Sequence, residues 1–352
     1  MFTRRVEFTG LIALSGAAVW AGLAVLAGLR RAPLGVIELL FLFAVLVVVP
    51  LGLELAKARQ GGVLGKQMIS VLPPFAALAV VASFWQRPGL FAAVLSVPWF
   101  VLGILVAMSG LWNWYRNANR SLADLAMSVA GVDLAFAGGW LVVSRAGLHP
   151  MGFQEPIVLL TSVHFHYSGF AVAVLAGTAI RVSHRRNVSV SLLRPVVWVV
   201  LFLPFLLAAG FVIAPMLRMA AAVGLALSVP ALAVCLFSIA KTLNLPIARV
   251  YVRIGAIAAW IAMGLAGTYA VTDYAGRAFL TMPGMASTHG VLNGIGFMLL
   301  SMLAFLIEES AIVSVPNSEA PARRVLASIP RKRPASVPLH VPEFVARDFY
   351  DR

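Results

Sequence analysis

Charged residues are scarce in this sequence. Asp, Glu, Lys and Arg make up 11% of its 352 residues, whereas hydrophobic residues make up 61% and the mean hydropathy is +0.95. A soluble globular protein carries roughly 25% charged residues, because its surface must be solvated. So few charges cannot cover a water-exposed surface, and the composition therefore predicts an integral membrane protein.

The sequence also has a single cysteine, Cys235, which lies inside an apolar run. One cysteine excludes a disulfide within the chain and any site built from several cysteines, so we interpret it as a small buried hydrophobic residue. The HExxH zinc motif, the Walker P-loop, the GxSxG elbow, the C-x-x-C-H haem motif and the histidine boxes of membrane desaturases are all missing from the sequence. The common catalytic motifs therefore assign no activity.

Long apolar runs recur along the chain instead. A helix needs about 20 mostly apolar residues to cross the hydrocarbon core of a bilayer, and ten runs come close to or exceed this length. They lie at 8–29, 34–56, 69–85, 88–112, 123–144, 156–180, 190–213, 216–240, 247–272 and 284–307. The predicted fold is therefore all-α, a polytopic bundle of about ten transmembrane helices.

Lysine and arginine fall unequally on the two sides of this bundle. If the loops alternate in side, all but six of the 27 Lys and Arg residues share the side of the N-terminus. The exceptions are Arg30, Arg31, Arg87, Arg145, Arg218 and Arg277. Because positive residues collect in cytoplasmic loops, both termini are predicted to be cytoplasmic, in a bacterial cytoplasmic (inner) membrane. The same scattering argues against nucleic acid as a partner, despite the formal net charge of +14.

The composition changes near residue 313. Six prolines interrupt residues 316–342, and basic residues cluster at 331–333. A segment of this composition cannot bury enough apolar surface to fold. We therefore predict a transmembrane helical domain over 1–312 and a basic, proline-rich, disordered cytoplasmic tail over 313–352.

Polar and ionisable residues inside the predicted helices are few. Such groups are costly in a bilayer and usually face a bundle interior or a cavity, so they are the candidate substrate or proton sites. The candidates are Glu38, Asp133, His164, His166, Tyr167, His289 and Asn293. At a rise of about 1.5 Å per residue, the three histidines lie at similar depth in the outer half of the bundle, and Asp133 lies near its middle.

The spacing of these residues limits how they can act together. His289 and Asn293 are four residues apart and share a helix face, where they could hold one ligand, proton or metal ion. The glycines that follow them form a small-xxx-small pair that lets a neighbouring helix approach closely. His164 and His166 are two residues apart, which is roughly 200° around a regular helix. One of them can therefore serve a cavity while the other bonds a neighbouring helix.

Four stretches resemble the YndJ-like family of bacterial membrane proteins. They are Val36-Ile-Glu-Leu-Leu, Val49-Pro-Leu-Gly-Leu, Val163-His-Phe-His-Tyr-Ser-Gly-Phe and Thr288-His-Gly-Val-Leu-Asn-Gly-Ile-Gly-Phe. The resemblance extends over most of the chain up to about residue 310, and the His-Phe-His-Tyr-x-Gly-Phe piece is its most specific part. Carried over position by position, it assigns the polar motif residues of the family to Glu38, His164, His166, Tyr167, His289 and Asn293. Members of the family are sometimes labelled as transporters.

Two functions remain open. The first is a transporter of a small or lipid-like solute that exchanges protons at Glu38, Asp133 or the histidines, which suits ten helices without a sizeable soluble domain. The second is a membrane-embedded metal-dependent enzyme or redox protein that binds Zn²⁺ or Fe through His164 or His166, together with His289 and a carboxylate. The sequence favours the transporter, because the spacing of His164 and His166 does not suit a compact metal site.

Overall fold

The structure is a computed structural model that describes residues 3–56, 63–118 and 120–314. These residues form ten long helices. They are α1 (Thr3–Gly28), α2 (Val36–Ala56), α3 (Val63–Ser83), α4 (Leu90–Arg116), α5 (Leu122–Arg145), α6 (Ile157–Arg186), α7 (Leu193–Ile213), α8 (Pro215–Ala240), α9 (Pro246–Tyr274) and α10 (Met282–Ala311). The described residues contain no β-strand, and the predicted all-α helical bundle is confirmed.

Eight of these helices, α2 and α4 to α10, are long and apolar enough to cross a membrane. The helices α1 and α3, of 26 and 21 residues, contain the shorter apolar stretches Ile12–Gly28 and Val71–Ser83. Each described helix lies where the sequence predicts an apolar span, with ends that differ by a few residues. The cytoplasmic position of the termini stays a prediction. The predicted tail lies, from residue 315 onward, outside the described residues.

Small residues set the spacing of the α4–α5 hairpin. A Cβ atom on Gly103 would come within 2.7 Å of the Ala135 Cα, and one on Gly131 within 2.8 Å of the Ala107 Cα. In a bilayer, helices gain from van der Waals contact of their backbones rather than from the hydrophobic effect. These glycines therefore hold the two helices in close contact.

The helices α7 and α8 meet at one residue. Ala214 has extended backbone (φ −163°, ψ 140°) and alone separates Ile213 from Pro215. Proline is favoured at the first position of a helix, because its missing N–H group has no partner there in any case. Side by side, the two helices approach closely where Gly210 of α7 packs on the backbone of Arg218 in α8. They are two separate helices, and each is long and apolar enough to cross a membrane.

Three helices depart from regular α-helical winding. A π-helical turn occurs in α2 at Ala44–Val48 and in α6 at Phe165–Ala171, and α10 has two, at Ala286–Gly290 and Leu292–Leu299. Such turns inside α-helices are frequent at functional sites, because the added residue changes the direction of the side chains that follow. The histidine, tyrosine and asparagine candidates all lie on α6 and α10.

A buried ionic cluster joins α6, α9 and α10 at the end of the bundle that is predicted to be cytoplasmic. The Glu308 carboxylate lies 2.6 Å from the Arg186 guanidinium. It also accepts hydrogen bonds from the backbone N–H groups of Asn244 and Leu245, at 2.7 and 3.0 Å. The first N–H groups of a helix have no partner within the helix and carry partial positive charge. Leu245 is the N-cap residue of α9 and Asn244 precedes it, so the carboxylate holds the segment that leads into α9 while it pairs with α6.

Candidate functional site

A cavity of about 380 Å³ lies at the other end of the bundle, where α6, α8 and α10 begin and α7 and α9 end. Most of its wall consists of apolar side chains. Five methionines contribute to it, Met219, Met263, Met282, Met285 and Met298. Thioether side chains are flexible and polarizable, so this wall can adapt to ligands of different shape. The volume falls within the range of about 300–1,000 Å³ that is typical of small-molecule sites.

His164 lies on the cavity wall, and its hydrogen bond fixes its tautomer. Its Nδ1 atom is 2.8 Å from the carbonyl oxygen of Leu160, one turn earlier in α6. A carbonyl oxygen can only accept, so Nδ1 carries the proton and Nε2 of the neutral ring is an acceptor. The side chain is exposed although it lies in a transmembrane helix, because it faces the cavity.

His289 lines the same cavity from α10 and is arranged in the same way. Its Nδ1 atom is 2.9 Å from the carbonyl oxygen of Ala262 in α9, which again leaves Nε2 as the acceptor. The Asn293 amide lies one turn further on, with its nitrogen 3.2 Å from the same Nδ1. The amide nitrogen also donates to the Met263 sulfur at 3.4 Å. The amide oxygen is buried without a hydrogen-bond partner among the described residues.

Tyr167 joins α2, α6 and α10 beside the cavity. Its hydroxyl donates to the carbonyl oxygen of Leu40 in α2 at 2.8 Å. Its ring packs on Gly294 in α10, where a Cβ atom would lie 3.1 Å from the ring, and a Cβ on Gly290 would lie 2.6 Å from the Leu40 side chain. The two glycines thus permit the close helix approach that their small-xxx-small spacing predicts.

An ion pair that the sequence analysis did not identify also lines the cavity. Arg218 near the start of α8 lies 2.9 Å from Asp273 near the end of α9, and their side chains are 34% and 36% exposed. The guanidinium also lies over the Phe211 ring, 5.1 Å from its centroid. Among the described residues, no further Asp, Glu, Lys or Arg lines the cavity. The sequence does contain a signal for this ion pair, since the two residues have opposite charge at the same predicted membrane face of consecutive helices.

The sequence matches the profile of the YndJ-like protein family over residues 39–297, which is most of the chain. The chain belongs to the YndJ-like family. It is 25% identical over 285 residues to a Bacillus subtilis (strain 168) protein named "Uncharacterized membrane protein YndJ". That alignment covers 79% of this chain and 50% of the relative, so the chain spans about half the length of the relative. No solved structure matches the chain. The relative and the eight apolar helices together identify a multi-pass membrane protein.

In this YndJ-like protein His166 lies away from the cavity and is fully buried. Its Nδ1 atom is 2.8 Å from the carbonyl oxygen of Ser162, and its Nε2 accepts from the indole N–H of Trp99 in α4 at 2.9 Å. Phe41 contacts the ring edge-on, with 5.2 Å between the centroids. Both ring nitrogens are satisfied in the neutral state, and the bond from Trp99 joins α6 to α4.

The two carboxylates that were predicted as proton sites lie outside the cavity wall. Glu38, one residue before the family match begins, caps its own helix by accepting the backbone N–H of Gly35 at 2.9 Å. Asp133 is 1% exposed and packs against Gly169 in the π-helical turn of α6. Neither of its oxygens has a hydrogen-bond partner among the described residues. The structure therefore joins neither carboxylate to the histidines of the cavity.

The structure does not assemble the predicted zinc or iron site from His164, His166 and His289. The imidazole of His166 is turned toward Trp99, and its two nitrogens are already engaged. Among the described residues, no three or more His, Cys, Asp or Glu side chains are grouped so that they could hold a metal ion. The cavity thus brings together His164, Tyr167, His289 and Asn293 of the predicted set.

Proposed function

We propose that this YndJ-like protein is a transporter that moves a small apolar or lipid-like molecule across the bacterial cytoplasmic membrane in exchange for protons. The cavity carries this proposal, since its mostly apolar wall holds the imidazoles of His164 and His289. Under the predicted topology the cavity lies in the outer half of the bundle, and the Glu308 cluster ties the inner end together. Alternating access requires a binding site that is reached from one side at a time, and this arrangement suits an outward-facing state.

The two histidines provide a link between proton binding and ligand release. In the neutral state each Nε2 can accept a hydrogen bond, whereas protonation turns it into a donor and adds a positive charge. A ligand that donates to Nε2 therefore competes with a proton for the same lone pair. Among the described residues, the other titratable and charged groups on the wall are Tyr167, Tyr269 and the paired Arg218 and Asp273.

Proton movement in proteoliposomes tests this proposal. Purified protein is reconstituted with a pH-sensitive dye inside the vesicles, and naphthol is added outside as an apolar test solute. We expect a pH change that empty vesicles lack and that the double variant His164→Gln/His289→Gln loses, because glutamine does not titrate. His184→Gln is the matched control, since His184 is exposed near the far end of α6.

Two results would contradict the proposal. A pH change that persists in the double variant would refute the role of the histidine pair. Absence of any pH change with folded wild-type protein, tested with naphthol and with a longer aliphatic alcohol, would refute proton exchange.

A metal-dependent enzyme is the other function that the sequence leaves open. The structure lends it no support, because His166 bonds to Trp99 and lies apart from the cavity that His164 and His289 share. Metal analysis of the purified protein provides the check. Stoichiometric zinc or iron that His164→Gln and His289→Gln each remove would favour the enzyme over the transporter.

A further inference from the structure

The polar groups on the cavity wall are mostly hydrogen-bond acceptors. His164 and His289 each donate Nδ1–H to a backbone carbonyl and present Nε2. The hydroxyls of Thr161, Tyr167 and Ser168 also line the cavity, and each donates to a backbone carbonyl, at 3.0, 2.8 and 2.8 Å. A hydroxyl oxygen that has donated its only proton can still accept. The wall therefore presents imidazole and hydroxyl acceptors to a ligand.

Two of the side-chain donors on this wall, Arg218 and Asn293, are engaged within the protein, whereas the Tyr269 hydroxyl has no hydrogen-bond partner among the described residues. The guanidinium of Arg218 is bonded to Asp273. The Asn293 amide is 8% exposed and lies against His289 and the sulfur of Met263. A ligand that could only accept would leave the acceptors of the wall without partners in an apolar space, which is unfavourable. The ligand should therefore be a hydrogen-bond donor.

The charge balance of the cavity distinguishes a neutral donor from a cationic one. Arg218 and Asp273 are the charged side chains of the wall among the described residues, and they pair with each other at 2.9 Å. With both imidazoles neutral, no described side chain on the wall carries an unpaired charge that would balance an ammonium group. An unpaired charge in apolar surroundings is costly, whereas a hydroxyl group donates without bringing a charge.

We propose that the cavity binds a neutral, mainly apolar molecule with a hydroxyl group, which donates its O–H to Nε2 of His164 or His289. This inference rests on the cavity being the binding site of the proposed transporter, and it names the chemical class of the ligand. The apolar part of the wall receives the hydrocarbon body. The volume of about 380 Å³ has room for a small molecule, such as a phenol or an alcohol with a compact hydrocarbon body.

Four matched probes separate hydrogen-bond donation from shape: naphthol, methoxynaphthalene, naphthalene and naphthylmethylammonium. Binding to the full chain in lipid nanodiscs is measured by calorimetry, and the signal of empty nanodiscs is subtracted. We expect naphthol to bind roughly three- to tenfold more tightly than methoxynaphthalene, which is the usual effect of one neutral hydrogen bond. The variant His164→Phe/His289→Phe should bind these two probes equally.

Two further variants keep the test decisive if the double variant does not fold. Ala266→Phe fills the cavity from α9 and leaves both imidazoles in place, so it should lose every probe. His184→Phe lies outside the cavity and should keep the preference for naphthol. Both variants are checked for a single folded species by size exclusion before binding is measured.

The outcomes separate this inference from the transport proposal. Equal binding of naphthol and methoxynaphthalene by the wild type would overturn the inference and leave the cavity as a binding site. Tightest binding of naphthylmethylammonium would overturn it in favour of a cation. If the wild type binds the probes no more strongly than Ala266→Phe does, the cavity is not a binding site. That result would refute the proposed function as well. A preference for naphthol without proton movement would support the inference and refute proton-coupled transport alone.

Discussion

Glu308 and Glu309 are neighbouring carboxylates whose neutralisation should affect stability very differently. Glu308 is 3% exposed, lies 2.6 Å from the Arg186 guanidinium and accepts two backbone N–H groups at the start of α9. Glu309 lies 3.2 Å from Arg185, and the two side chains are 29% and 56% exposed. The pair of substitutions therefore compares a buried carboxylate with a partly exposed one at the same end of the same helix.

Glu308→Gln removes the negative charge and keeps the size of the side chain. It leaves the guanidinium of Arg186, 23% exposed, without its partner charge. One N–H group at the start of α9 then faces an amide NH₂ instead of an oxygen. Removing one member of a buried ion pair costs about 3–5 kcal/mol, so the free energy of unfolding should fall by about 3 kcal/mol or more. For Glu309→Gln, an exposed pair, a loss of about 0–1 kcal/mol is expected.

The assay is unfolding of the purified variants by SDS titration in mixed micelles, followed by circular dichroism. Both substitutions change the net charge equally, so differences in the charge attraction of SDS cancel in the comparison. A loss for Glu308→Gln that does not exceed the loss for Glu309→Gln would refute the stabilising role of the cluster. It would also remove the structural reason for regarding the inner end of the bundle as tied together.

Three further predictions concern the topology, the tail and the histidines. A reporter fused after Arg185 should be cytoplasmic, since its loop has the strongest internal cluster of positive charge. A periplasmic reporter at this position would contradict the predicted topology. Truncation after Ser318 should leave expression and thermal stability in detergent nearly unchanged, whereas a large loss of folded protein would show that the tail packs on the bundle. In a cysteine-free background, His164→Cys should cross-link to His289→Cys, with a short spacer if needed, more efficiently than His166→Cys does. Equal cross-linking of the two pairs would contradict the separate surroundings of the two histidines.

The lengths of the apolar runs predict the helices well because a bilayer leaves the backbone no partners except its own groups. The ends are less predictable where a helix continues beyond its apolar run. The helix α6 continues to Arg186, past the predicted end at residue 180. Its last turns are polar, so the apolar run does not mark them. No local pattern marks the π-helical turns of α2, α6 and α10, since they depend on how these helices pack on one another.

Depth along the helices was enough to place His164 and His289 at one level, and both line one cavity in the structure. Depth alone did not separate His166 from them. Depth does not tell which neighbouring helix a side chain faces, and that direction depends on how the helices pack. The indole that bonds His166 belongs to Trp99, 67 residues earlier in the chain, and no spacing rule reaches that far. The sequence predicts that one histidine of the pair serves a cavity, and the bond from Trp99 identifies which one.

The acceptor character of the cavity follows from how polar side chains are satisfied in a bilayer. Without water, a hydroxyl or imidazole on a helix donates to the spare lone pair of the carbonyl four residues earlier, as Thr161, His164 and Ser168 do. Their donors are used within their own helix, and an acceptor remains at its surface. His166 follows the same rule, but the indole of Trp99 takes its remaining acceptor. A cavity between such helices therefore favours ligands that donate, unless a neighbouring helix supplies the donor first.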